Sequence, residues 1–186
     1  MSQRYTMTEL AGANRVLIPT TDAADGAVNS VKSPEWMVKI GVLTHSSIMG
    51  YFDYAPLFGW YGESSRITAG ELGGPLQTSA QLKHSDLILM MGNGGYATSL
   101  ESSMNKGFPL DFVTIVRLGN ILGVTVPLQT TIYGNCMIQS FQQQLDRLVL
   151  HLSVTTKTNT VLVYDNAGVC AGQMVSSVDY SKNVSQ

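Results

Sequence analysis

Along this chain, apolar and polar positions alternate more often than they recur at helical spacing. Residues 147–155 (RLVLHLSVT) are the clearest case: Leu148, Leu150, Leu152 and Val154 fall on one face, and Arg147, Val149, His151, Ser153 and Thr155 on the other. That is the pattern of an antiparallel strand with one buried and one polar face. Less regular alternation predicts strands over 36–43 (WMVKIGVL), 60–67 (WYGESSRI), 112–118 (FVTIVRL), 125–133, 136–142, 160–164 and 172–180, with a short one at 15–19. Residues 76–91 (LQTSAQLKHSDLILMM) read as a strand pair or one long bent strand, and 119–123 as a hairpin-like link.

One stretch breaks the two-residue period. Residues 98–107 predict a helix, opened by the capping-box pattern Thr98-Ser99-Leu100-Glu101 and closed by Lys106 and Gly107. A Thr hydroxyl there accepts from the amide three residues on, a late Lys suits the negative end of the helix dipole, and Gly takes the left-handed stop. Leu100 and Met104, four apart, form the face expected to meet a sheet. About eight to ten closely spaced strands with one helix, and no parallel βαβ rhythm, make the fold class mainly β: a small antiparallel β-barrel or sandwich with one short flanking α-helix.

Two segments fit that scheme less well. Residues 1–35 are polar and turn-rich and read as an extended N-terminal arm. Residues 44–59 (THSSIMGYFDYAPLFG) hold no period yet carry Ile48, Met49, Tyr51, Phe52, Tyr54 and Phe58 between turn residues. A long loop with that much aromatic surface calls for something to dock on.

Composition sharpens the picture in one respect. Only 13% of the 186 residues are charged against 44% hydrophobic, where a quarter charged is usual, and a surface poor in charge suits a subunit covered by neighbours. No apolar run approaches the roughly 18 residues of a membrane span, so no membrane insertion is expected. A net charge of −2 without a Lys/Arg cluster argues against a nucleic-acid surface. Residues 1–20 lack a signal-peptide core, which places synthesis in the cytosol. Cys136 and Cys170 then read as buried reduced thiols, a disulfide between them being the other reading.

Candidate chemistry is sparse. Gly92-Asn93-Gly94-Gly95 precedes the helix but lacks a Walker lysine or dinucleotide fingerprint, and reads as a turn rather than a phosphate cradle. His45, His84 and His151 have no ligand spacing between them. Ser79, His84 and Asp86 can be drawn as a triad, but no nucleophile elbow accompanies them. The carboxylates, among them Glu63, Glu71, Asp86, Glu101, Asp111, Asp146, Asp165 and Asp179, are scattered. We expect no catalytic residue, no metal and no cofactor.

The order of elements resembles the Hcp family, the inner-tube proteins of the type VI secretion system, related to the tail-tube proteins of contractile phages. Met37-Val38-Lys39-Ile40-Gly41-Val42 resembles the family's opening strand, and Leu57-Phe58-Gly59-Trp60-Tyr61-Gly62 with the Gly-rich turn at 70–74 resembles its strand around a Trp. Leu82 to Leu89 resembles the strand before the helix. Leu100 to Gly107, followed by Val113-Thr114-Ile115-Val116-Arg117, resembles the helix, its terminal Gly and the next strand. Residues 136–155 and the closing 172–183 (GQMVSSVDYSKN) complete the match over about 36–183. Residues 1–35 lie outside it, and 44–59 is not a clean match.

The resemblance implies a tube-barrel domain over 36–186, with the helix against the outside of the barrel. It also implies a non-enzymatic structural subunit whose homohexameric rings stack into a hollow tube. Partners implied are other copies of the chain, sheath proteins, spike and baseplate proteins, and secreted effector cargo. Nucleic acid is absent from that list if the system is secretory, whereas phage DNA passes through the lumen if it is viral. Assembly in the cytoplasm would precede secretion or injection into a target cell. Ile48, Met49, Tyr51, Phe52, Tyr54 and Phe58 are the expected ring or stacking interface, because aromatics and Met are enriched in interface cores. A contractile-phage tail-tube protein, a ligand-binding barrel with an apolar cavity, and a hydrolase with scattered catalytic residues are the alternatives.

Overall fold

The computed structural model describes residues 5–8, 16–19, 35–41, 44, 50–67, 81–165, 167–182 and 184–185. Most of the 1–35 arm, residues 42–43 and 45–49, the turn at 70–74, the start of the 76–91 segment and Asn183 lie outside the described residues. In chain order the strands are β1 (Tyr5–Thr8), β2 (Val16–Pro19), β3 (Trp36–Ile40), β4 (Ala55–Tyr61), β5 (Ser64–Ile67), β6 (Gln81–His84) and β7 (Leu87–Gly92). After helix α1 (Ala97–Lys106) come β8 (Leu110–Ile121), β9 (Val124–Gln143), β10 (Arg147–Ser153), β11 (Thr156–Tyr164), β12 (Cys170–Asp179) and β13 (Val184–Ser185). The chain is mostly strand, as expected. The 15–19 strand is present as β2, paired antiparallel with β1.

Six strands close into an antiparallel barrel in the order β10-β7-β4-β3-β8-β9, with β9 returning to β10. The alternation over 147–155 sets its interior. Leu148, Leu150 and Leu152 are fully buried opposite Met91, Leu89 and Leu87, and Val38, Ile40, Val113, Ile115 and Tyr133 join them from the far wall. Burying each such side chain contributes about 1.5–3 kcal/mol. Buried side chains from all six strands meet in this interior. The outer face of β10 is not wholly polar: Val149 is buried with Ile88 and Met90 in a small external cluster against Tyr61.

Several boundaries differ from the sequence reading. The 76–91 segment is two strands among the described residues, with different partners: β6 pairs with β5, and β7 with β4 and β10. The strand around Trp60 begins at Ala55 and stops at Tyr61, because Ala55 and Leu57 are buried in the interior. Residues 125–133 and 136–142, expected as two strands, are one 20-residue strand. Gly134-Asn135 does not end the strand: Asn135 has φ 49, and the buried positions switch from Thr131 and Tyr133 to Cys136 and Ile138. Pairing runs on across it, because Phe112 and Leu110 of β8 meet Gly134 and Cys136 in one register and Thr156 of β11 also reaches Gly134.

This long strand gives the molecule its second feature. Residues 137–143 of β9 pair with β10 in the barrel, and residues 129–134 pair with β11 on the same edge. The sheet therefore runs on beyond the barrel as β8-β9-β11-β12-β13. The β8–β9 hairpin turns at Leu122 (φ 51) and Gly123 (φ 86), a two-residue turn with both φ values positive.

Helix α1 joins β7 to β8, which lie three strands apart either way around the ring. It therefore flanks the barrel at an end rather than along its outer wall, and its buried Ala97 and Leu100 belong to the interior cluster with Met104 packed against it. The Leu100/Met104 face and the Gly107 stop (φ 65) are as expected. The capping box is not formed. Tyr96 is the N-cap with no side-chain cap bond, and Thr98 Oγ1 instead donates to the Gly95 carbonyl at 3.4 Å. Burial of Tyr96 and Ala97, with the Tyr96 hydroxyl donating to the Gly92 carbonyl, draws the helix start one residue earlier and overrides the local capping signal.

Candidate functional site

Three surfaces stand out. The first is the aromatic loop over 50–58. Met37, Val116 and Leu118 point out of the barrel wall yet are buried, because Tyr51 and Tyr54 pack on them with ring centroids 5.3 Å apart. Two polar clamps hold this loop down. Thr44 Oγ1 accepts from the Ile40 amide (3.0 Å) and donates to the Asp53 carbonyl (2.7 Å), and Lys39 Nζ meets Asp53 Oδ2 at 2.9 Å. Tyr51 and Tyr54 are thus used within the subunit. Phe52 remains 59% exposed, and Phe58, the bulged residue of β4, 39%. Ile48 and Met49 lie outside the described residues.

The second is the extension sheet. Val161 and Met174 face each other across β11 and β12, and with Val163, Val175, Leu122 and Val124 they are exposed. These positions were not singled out by the sequence, although Val161–Val163 was read as strand. Exposure followed from where β11 ends up, on the part of β9 that has left the barrel.

The third is a cleft of about 340 Å³ at the barrel end opposite α1, lined by Trp60, Leu82, Gln129, Lys157, Asn159 and Tyr180 among others. Register places its polar groups. Tyr133, Thr131 and Gln129 alternate along the inner face of β9, opposite Lys157, Asn159 and Val161 of β11. Ser64 and Tyr180 join their hydroxyls at 2.6 Å across it. Trp36 and Trp60 meet edge-on at 5.8 Å beside it, and the Arg117 guanidinium lies over the Trp36 ring.

The groups considered for chemistry lie apart. His84 stacks edge-on against Tyr133 (5.6 Å) and Tyr180 (5.1 Å), its Nδ1 on the Ser85 carbonyl. Burial lowers its pKa, partly offset by that carbonyl. Among the described residues its Nε2, like that of His151, is buried without a partner, and neither ring is hydrogen-bonded to a serine hydroxyl. Ser79 and His45 lie outside the described residues. Among the described residues, no three His, Cys, Asp or Glu side chains are grouped to hold a metal ion. Gly92-Asn93-Gly94-Gly95 is a turn from β7 into α1, with the Asn93 amide donating to the Asp146 carbonyl at 3.1 Å. The cysteines are both free, but only Cys136 is buried, its thiol pushed up to about 12 by desolvation. Cys170, expected to be buried, is exposed because β12 lies on the extension. Among the described residues, no helix is long and apolar enough to cross a membrane.

No family model matches the sequence, and no curated protein matches it. Solved structures do match in shape. A type six secretion system protein superposes with a TM-score of 0.72 at 11% identity, over 83% of this chain and 100% of that one. Hcp1 from Salmonella typhimurium gives 0.64 at 12% identity, over 81% and 97%. The secreted protein Hcp3 from Pseudomonas aeruginosa gives 0.58 at 16% identity, over 78% and 99%. These structures match this chain in shape while sharing few residues. The fold expected from the order and spacing of elements is present, and the chain has the fold of the Hcp proteins of type VI secretion.

Proposed function

We propose that this chain is the structural subunit of a tube in a contractile injection apparatus of the type VI secretion kind. Six copies would form a ring, and rings would stack into a hollow tube that a sheath drives outward with spike, baseplate and effector cargo. The observation that carries this reading is the superposition on a type six secretion system protein over that protein's whole length. Physical features support it. Charge is sparse at 13%, and apolar side chains are exposed on the aromatic loop and on the extension sheet, as expected of faces that other subunits cover. Head-to-tail contacts between two different faces of one chain close into rings when the rotation permits.

Within this reading the ring or stacking contact is made by Ile48, Met49, Tyr51, Phe52, Tyr54 and Phe58. Tyr51 and Tyr54 form its base on Met37, Val116 and Leu118, and Phe52 and Phe58 face outward. Negative-stain microscopy of the purified chain tests the proposal. Rings or tubes are expected from the native sequence, and stacking is expected to fail in Phe52→Ser/Phe58→Ser while the circular dichroism melt stays in place. A native protein that remains monomeric at every concentration overturns the tube reading. Tubes formed normally by the double variant overturn only the interface.

A further inference from the structure

The cleft at the open end of the barrel is unusual for its balance of hydrogen-bonding groups. The Asn159 side-chain oxygen accepts from Gln129 Nε2 (2.8 Å) and from Thr131 Oγ1 (2.9 Å). With its acceptor doubly occupied, Asn159 turns its two amide hydrogens the other way. Lys157 lies two residues back on the same face of β11, its Nζ over the Tyr133 ring at 5.8 Å. It makes no ion pair among the described residues, and half-burial lowers its pKa. Two further polar atoms beside the cleft, Tyr133 Oη and His84 Nε2, are buried without a partner. Among the described residues, no Asp or Glu lines the cleft.

The Lys157 ammonium and the Asn159 amide, both part-buried in the cleft, are donors that an acceptor-rich partner engages, and a charged donor strengthens such a contact. The same cleft is lined by the apolar side chains of Trp60 on β4 and Leu82 on β6, apart from the β9 and β11 strands that carry its polar groups. Its volume lies at the small end of the range for small-molecule sites. Convergent polar groups on one wall and an aromatic surface on the other are the usual make-up of such a site.

We propose that this cleft binds a small carboxylate with an apolar body, the carboxylate held by Lys157 and the Asn159 amide and the apolar part against Trp60 and Leu82. The site lies inside one subunit and stands whether or not the chain forms tubes.

Benzoate is the probe, with benzamide as its neutral isostere and inorganic phosphate as an anion without an apolar body, each titrated calorimetrically into the full chain. Benzoate is expected to bind saturably and at least about tenfold more tightly than benzamide or phosphate, the factor that one charge-assisted contact supplies. Lys157→Met and Asn159→Asp should each weaken benzoate at least about tenfold, and Lys157→Arg should retain most of it. Unfolding midpoints of the variants check that each remains folded, and Asn159→Asp preserves shape if Lys157→Met does not fold. Equal binding of benzoate and benzamide, phosphate binding as tight as benzoate, or no benzoate heat at about 10 mM, well above a millimolar dissociation constant, overturns the proposal. Undiminished benzoate affinity in both loss variants overturns it as well.

Discussion

The Tyr133 hydroxyl and His84 Nε2 are both buried and both without a partner, on rings that meet edge-on 5.6 Å apart. Tyr133 is fully buried in the barrel interior, and desolvation pushes its phenol pKa far up. An unsatisfied buried hydroxyl costs about 1–3 kcal/mol. Tyr133→Phe is therefore expected to stabilise the chain by about 1 kcal/mol, a rise in melting temperature of about 2–4 °C. A fall in the melting temperature would mean that the hydroxyl is satisfied in solution.

Stability should also depend on pH through His84. Burial holds its folded pKa below the unperturbed 6.5, partly offset by the Ser85 carbonyl and by Asp86, while the Lys157 charge adds to the lowering. The unfolded chain thus takes up a proton as pH falls through 6.5 while the folded chain resists it. The stability that this group contributes is present above that pH and is lost below it. Urea midpoints at about pH 7.5 and about pH 5.5 should differ less in His84→Gln than in the native sequence. An unchanged difference would place the pH dependence elsewhere.

The hairpin residue Leu122 has φ 51 and is 76% exposed. Holding an L side chain in the left-handed region costs about 1–2 kcal/mol, less for Asn, and Asn-Gly is the favoured pair for this turn. Leu122→Asn is expected to raise unfolding stability by about 1 kcal/mol in denaturant. No gain would show that contacts of Leu122 offset the backbone strain.

Helix α1 is anchored chiefly by Leu100, which is fully buried in the interior cluster. Leu100→Ala should cost about 2–5 kcal/mol. Glu101→Ala should change stability little, because the capping box is not formed. A large loss for Glu101→Ala, read in the same urea titration, would restore the capping reading.

The two thiols should separate cleanly. Cys136 is buried with a pKa of about 12, whereas Cys170 is exposed, and reactivity follows the accessible thiolate. A colorimetric thiol reagent should label one cysteine in the folded chain and two in denaturant. Cys170→Ser should abolish the native signal.

The sequence alone determined the elements whose signal is local. The alternation of Leu148, Leu150 and Leu152 specified the buried face of β10, and Gly107 stopped the helix because only glycine takes φ 65 there without strain. Order and spacing of these elements were enough for the fold. Tertiary structure decided everything that depends on which strand lies beside which. Thr98 and Glu101 carry a capping box, yet burial of Tyr96 sets the helix start. Residues 125–133 and 136–142 read as two strands, yet pairing with β8 runs in one register across Gly134-Asn135 and makes them one. Lys157, Asn159 and Gln129 are unremarkable polar residues in sequence and share a cleft only because β11 and β9 pair in one register. Tyr51 and Tyr54 read as outward-facing, yet they cover Met37 and Val116 on their own barrel wall. Local pattern sets which face of a strand is apolar, but long-range pairing sets what that face meets, and burial outweighs a single capping bond wherever the two compete.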